Sequence, residues 1–300
     1  MKPFTPMSPI LQSTLPVGEE WMYQLKWDGY RVIAQIENGQ VDIYSKNMLS
    51  LNTVFPELVQ ALSAMKGQYV LDGEAVLLDP STGKPSFQQL QRRGRMRDTK
   101  HITIAAERDP VSYIVFDLLQ DGEHDLRKHP FEERDQRLKE LSKGWKHPLY
   151  TTDTFRDGAV LWNWVVEQQL EGVVAKKGTS PYREGKHHHD WFKCKTSIQM
   201  EIEIVGILMK DGALSSLAMS RDGAYFGRIS SGLNHSLKEQ IRKLPATGKL
   251  QDYFDTLPEG LRKSTVLWLN TPLRAQVTGL EITSAGQLRH PKLISIEGLK

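Results

Sequence analysis

An α+β fold in two parts is what this 300-residue sequence predicts. Short segments rich in Val, Ile, Tyr and Phe outnumber the helical patterns, which are too few and too irregular for a βαβ alternation. Turn signals such as Asn38-Gly39 sit between adjacent strand candidates and favour hairpins and antiparallel sheets. After Lys195 the texture changes to short strands joined by Asp211-Gly212 and Asp222-Gly223.

In order along the chain, strands are predicted at residues 24–25, 31–36, 41–44, 69–78, 112–118, 172–176 and 191–195. Helices are predicted at 56–65, 131–141 and 158–169. In the second part, hairpins cover 199–230, a helix covers 236–243, and strands follow at 264–269 and 273–282. Five or so short strands with one helix in about 100 residues suit a small β-barrel of the OB type. The division falls near residue 198, giving parts 1–197 and 198–300.

A content of 39% hydrophobic and 25% charged residues supports a sizeable core and excludes disorder as the main state. No apolar run reaches the ~18 residues of a membrane span. The first 16 residues carry four prolines rather than an apolar leader, so a cytoplasmic location is expected. One cysteine, Cys194, excludes an internal disulfide and a Cys-rich zinc site. Net charge is only +3, yet Arg92, Arg93, Arg95, Arg97 and Lys100 crowd together, as do Arg183, Lys186, Lys193 and Lys195. Such clusters point to a bound polyanion, although a solvated basic face has the same composition.

The densest chemical signal is Lys26-Trp27-Asp28-Gly29-Tyr30-Arg31. Alone, it also describes a strand ending in an Asp-Gly turn with two surface charges. Downstream clusters change that reading. Leu71-Asp72-Gly73-Glu74 sets carboxylates at alternate strand positions, hence on one face. Phe116-Asp117 sits in a β-rich run, and Glu171-Gly172 opens a strand that ends at Lys176-Lys177. In 191–195, Lys193 and Lys195 share a face, with Phe192 and Cys194 on the other. Two lysines aimed into one site repel unless an anion lies between them, and a triphosphate is the economical anion. Glu74 and Glu171 are hard oxygen ligands suited to Mg²⁺ held jointly with substrate phosphates. His187, His188 and His189 are consecutive and cannot converge on one ion, so a loop facing DNA or solvent is expected there.

Together these residues resemble the covalent nucleotidyltransferase superfamily of ATP-dependent DNA ligases, RNA ligases and capping enzymes. KWDGYR at 26–31 is similar to motif I, YSKN at 44–47 to Ia, and LDGE at 71–74 to III. VFDLL at 115–119 is similar to IIIa, EGVVAKK at 171–177 to IV, and WFKCK at 191–195 to V. FQQLQRRGRM at 87–96, SPYREGKHHHDWFKCK at 180–195 and GQLRHP at 286–291 resemble the ligase domain of bacterial ligase D, the end-joining enzyme. The resemblance spans nearly the whole chain and implies an adenylation domain followed by an OB domain.

It further implies that Lys26 attacks the α-phosphate of ATP and forms a Lys–AMP intermediate. An ordinary lysine of pKa near 10.4 is only about 0.1% neutral near pH 7.4. Nearby positive charge from Lys193, Lys195 and a metal must favour the free amine. By the same resemblance, Arg31 and Glu74 hold the ribose side of the nucleotide and Phe116 stacks on adenine. Glu74 and Glu171 lie near Mg²⁺ or Mn²⁺. Gln24 stands where many relatives carry an acid that reads the adenine amino group. Lys46, Arg92, Arg93, Arg95 and Arg97 are expected on DNA phosphates, and Arg289, from a weak motif VI, on pyrophosphate. The implied partners are nicked or broken duplex DNA and a Ku-like end-bridging protein, with the chain a monomer in the bacterial cytoplasm, at the nucleoid. An RNA ligase, a GTP-using capping enzyme and a non-catalytic nucleic-acid binder remain as alternative readings.

Overall fold

The computed structural model describes residues 4–185, 188–283 and 285–299. The chain forms two compact units, Met1–Thr196 and Ser197–Lys300. In the first unit the elements run β1 (Ile10–Leu11), β2 (Trp21–Leu25), β3 (Tyr30–Glu37), β4 (Gln40–Ser45), α1 (Pro56–Leu62), β5 (Gln68–Val76), α2 (Phe87–Gly94) and α3 (Thr99–Arg108). They continue with β6 (Ser112–Asp121), β7 (His124–Asp125), α4 (Phe131–Leu141), β8 (Leu149–Thr151), β9 (Thr154–Phe155), α5 (Gly158–Glu167), β10 (Gly172–Lys177) and β11 (Trp191–Lys195).

Two mainly antiparallel sheets result, one in the order β1-β11-β10-β2-β9 and the other β4-β3-β5-β6-β7, with β8 parallel to β6. Strand β3 shows why both faces of the second sheet are apolar. Val32, Ala34 and Ile36 pack with Phe55, Leu58 and Leu62 around α1. Ile33 packs the other way, with Val70, Leu119 and Trp191, and so joins the two sheets.

Charges are buried within that inner layer. Arg134 and Asp117 are both fully enclosed and joined by two hydrogen bonds of 2.7 and 2.9 Å. Arg134 Nη1 also donates to the carbonyls of His129 and Ser180. The Lys176 ammonium donates to the Phe116 carbonyl at 2.9 Å and lies 4.2, 4.4 and 4.7 Å from the ring centres of Trp191, Phe131 and Phe116. Burial pushes this ammonium down to about 7, against the pull of Asp117.

The second unit is one antiparallel sheet, ordered β14-β13-β12-β15-β16, with helix α6. Its strands are β12 (Ile198–Lys210), β13 (Ala213–Arg221), β14 (Ala224–Ile229), β15 (Thr265–Gly279) and β16 (Lys292–Ile296); α6 is His235–Arg242. One parallel bridge, Ser231 to Lys292, ties the stretch after β14 to the start of β16. The two strands expected at 264–269 and 273–282 are one strand. Asn270-Thr271-Pro272 reads as a breaker, but the pairing with β12 jumps from Leu273–Ile204 to Trp268–Gly206. Pro272 falls in that irregularity, where its missing N–H breaks no ladder. Helices α2 and α3 are additions to the expected elements. Ser86 and Asp98 cap them by accepting from the amides of Gln89 and His101.

Arg134→Met leaves Asp117 buried without its partner and is expected to cost about 3–5 kcal/mol, read from urea unfolding midpoints. A loss near zero would show that the carboxylate finds other partners. Lys176 yields a pH signature. The unfolded chain holds its proton up to the ordinary 10.5 and the folded chain only to about 7. Stability therefore rises with pH across that window. Lys176→Met should flatten the rise, measured by unfolding at several pH values between the two limits.

Candidate active site

Strand β2 delivers Lys26, whose amide donates to the Gly172 carbonyl at 2.9 Å. Gly172 has φ +153°, and a Cβ there would stand 2.0 Å from the Cys194 carbonyl oxygen. Only glycine lets β10 and β11 approach at this point. Across the cleft Gly29 is equally constrained, since its Cβ would meet the Ala75 carbonyl oxygen at 2.2 Å. Between these close approaches opens a cleft of about 400 Å³, lined by Lys26 together with Gln24, Arg31, Lys46, Glu74, Phe116 and Lys193. That size and concavity suit a small-molecule ligand.

One carboxylate organises the cations. Glu171 accepts from Lys26 Nζ at 2.5 Å and pairs through its other oxygen with Lys195 Nζ at 2.8 Å. Lys193 is the third ammonium. Burial pushes it below the ordinary lysine range, and Lys26, Lys195 and Lys46 push it the same way. Burial raises the Glu74 carboxyl to about 7, with Lys26 and Arg31 opposing the rise and Glu171 and Asp72 adding to it. Arg31 is gripped by both oxygens of Asp72 and by the Met7 carbonyl, and Tyr182 donates to Asp72 at 2.7 Å. The Arg31 guanidinium lies 4.6 Å from the ring centre of Phe116.

Among the described residues, no group of three or more His, Cys, Asp or Glu converges as a metal cage. Glu74 and Glu171 do lie within electrostatic reach of each other. That donor set fits Mg²⁺ or Mn²⁺, which completes its shell with water and substrate phosphates rather than with protein alone.

The cleft thus gathers Gln24, Lys26, Arg31, Lys46, Glu74, Phe116 and Lys193, with Glu171 paired to both Lys26 and Lys195. Gln24 is buried and donates from Nε2 to Thr154 Oγ1 at 2.9 Å. Arg92, Arg95 and Arg97 are exposed on α2 and just beyond it. Arg93 corrects the sequence expectation of a DNA contact. It is 3% exposed, pairs with Glu57 and donates to the Val54 carbonyl, so its charge is consumed inside the fold. In the second unit, Arg289 pairs with Glu281 at 2.9 Å. His187 lies outside the described residues; His188 donates from Nε2 to the Glu184 carbonyl, and the His189 ring packs beside Phe192.

Lys176, Asp72 and Tyr182 are site residues that motif reading did not assign. Their signal was faint. Lys176 follows Gly172-Val173-Val174-Ala175 in an apolar strand, and reads there as a strand end rather than as a cleft wall.

Residues 4–195 match the family model described as ATP dependent DNA ligase domain. The chain is 32% identical over 257 residues to the bifunctional non-homologous end joining protein LigD of Bacillus subtilis, covering 79% of this chain and 42% of that protein. It therefore spans less than half the length of that relative. It is 33% identical to DNA ligase C1 of Mycolicibacterium smegmatis, covering 85% of this chain and 76% of the relative. The solved structure of mycobacterial DNA ligase D complexed with ATP and MES aligns with TM-score 0.57 at 29% identity, over 98% of this chain and 95% of that one. The chain belongs to the ATP-dependent DNA ligase family, as a ligase domain similar to that of LigD.

Proposed function

We propose that the chain seals breaks in duplex DNA through a Lys26–AMP intermediate. The Glu171 carboxylate bridging Lys26 and Lys195, with Lys193 in the same cleft, is the observation that carries the reading. The Lys26 ammonium passes a proton to Glu171. The free amine attacks the α-phosphorus of ATP to form the N–P bond as the bond to pyrophosphate breaks, and the second proton leaves with pyrophosphate to solvent. Glu171 fixes the position of Nζ, and Lys193 and Lys195 stabilise the charge that grows on the phosphate oxygens. Arg31 and Glu74 hold the ribose side, and Phe116 offers a ring face to the base. A divalent ion held by Glu74 and Glu171 would supply further charge neutralisation at the phosphates. AMP then passes to the 5′-phosphate at the break, and the 3′-hydroxyl displaces it.

The first unit is the adenylation domain in this reading, and the second is an OB-type barrel. The five-stranded sheet and the Ser231–Lys292 bridge near its two end strands support the barrel. Arg289 serves the pyrophosphate from that domain. Lys46, Arg92, Arg95 and Arg97 hold DNA phosphates. End joining with a Ku-like bridging protein, by a monomer at the bacterial nucleoid, is the wider role, supported by the likeness to LigD proteins. Among the described residues no helix is long and apolar enough to cross a membrane.

Lys26→Ala should form no covalent adduct with α-labelled ATP while keeping its unfolding midpoint; an acid-labile adduct in that variant would identify another nucleophile. Neutralising Arg92, Arg95 and Arg97 together should spare adduct formation and weaken binding of nicked DNA. The slope of log K against log salt should shrink by roughly 0.9 for each DNA phosphate that the variant no longer neutralises. Arg93→Ala should act differently, lowering stability by about 3–5 kcal/mol through the stranded Glu57. Equal effects of the two variants on DNA affinity and stability would dismiss the distinction.

A further inference from the structure

Gln24 stands opposite Thr154 in the β2–β9 pair and donates from Nε2 to its hydroxyl oxygen at 2.9 Å. That hydroxyl donates to Asp135 Oδ1 at 2.7 Å, and Asp135 Oδ2 accepts from Lys139 at 2.7 Å. A carboxylate only accepts, and a hydroxyl has one proton to give. With that proton committed to Asp135, Thr154 can only accept from residue 24. The amide must therefore turn its NH₂ group to Thr154, which leaves its carbonyl oxygen for the cleft that Gln24 lines. Thr154 and Asp135 are not among the residues lining the cleft.

We propose that Thr154 and Asp135 are positioning residues for base selection. They lock the Gln24 amide so that the cleft offers an acceptor, and so select a 6-aminopurine nucleotide over a 6-oxopurine one. The inference rests on the adenylylation reading above. It also accounts for an amide at position 24. A carboxylate there would set its lone pairs against those of Thr154, whose proton is already engaged.

The test measures covalent labelling of the full chain by α-labelled ATP, GTP and the triphosphate of unsubstituted purine riboside. The wild type should favour ATP over both. Thr154→Val keeps the branched shape but neither donates nor accepts, so the amide is free to turn over. Its ATP-to-GTP ratio should fall by roughly tenfold, and its preference for ATP over the unsubstituted purine should shrink. Thr154→Ser should restore both ratios. Asp135→Leu, which removes the acceptor and so frees the hydroxyl proton, should move them as Thr154→Val does, and it supplies the same readout if the valine variant fails to fold. Gln24→Glu should label poorly alone and recover when combined with Asp135→Leu, which leaves the Thr154 proton for the new carboxylate. Unchanged ratios in variants that still label would overturn the relay and leave adenylylation standing. An equal loss with all three nucleotides would reduce Thr154 to a fold contact and overturn the relay as well. A wild type that labels with none of them would overturn both readings.

Discussion

Everything in the cleft depends on a single carboxylate placed between like charges. Lys26 and Lys195 each take one oxygen of Glu171, and Lys193 adds a third ammonium to the same small volume. Without that carboxylate the ammonium groups would repel one another at close range. With it, they stay clustered, and the cleft keeps a positive surplus that an incoming polyphosphate can satisfy. The glycines follow from this constraint. Glu171 and Lys195 come together only if β10 and β11 close at Gly172, where any side chain would collide with Cys194.

In the walls of the cleft and beneath it the fold accepts an unusual load of buried charge. Arg31 with Asp72, Arg134 with Asp117, and Lys176 among three aromatic rings all lie where apolar groups would pack at lower desolvation cost. Each is held by more than one partner, so none is free to swing. Their gain is orientation. Arg31 cannot tilt away from the Phe116 ring while Asp72 and Met7 grip it, and Asp72 in turn is fixed by Tyr182.

Much of this was legible in the sequence, for identifiable reasons. Helices 131–141 and 158–169 announced themselves by apolar spacing, and the strands by alternation; the second helix ends two residues early, and strand ends differ by up to three residues, as at Trp21 and Asp121. The cleft residues were legible because each sits in a compact motif, and their gathering required only that those strands share two sheets. Other features were hidden because they depend on partners distant in sequence. Arg93 is indistinguishable from Arg92 and Arg95 until Glu57, 36 positions away, folds against it. Helix α2 carried a Ser86-x-x-Gln89 capping signal, but its polar composition masked it. The continuity of β15 was hidden by Pro272, harmless only because the partner strand slips register there.

The anchoring of Arg93 has a mechanical consequence. Its guanidinium bolts α2 to Glu57 at the start of α1 and to the chain just before it. Exposed Arg92 therefore projects from a mounted helix and Arg95 from its C-cap, not from a loop that must first be arranged. A polyanion meeting Arg92 and Arg95 finds their backbone already set in place, and only the outer side-chain torsions remain to be ordered on binding. The inward-facing arginine acts as the bracket, and its outward-facing neighbours inherit the stiffness.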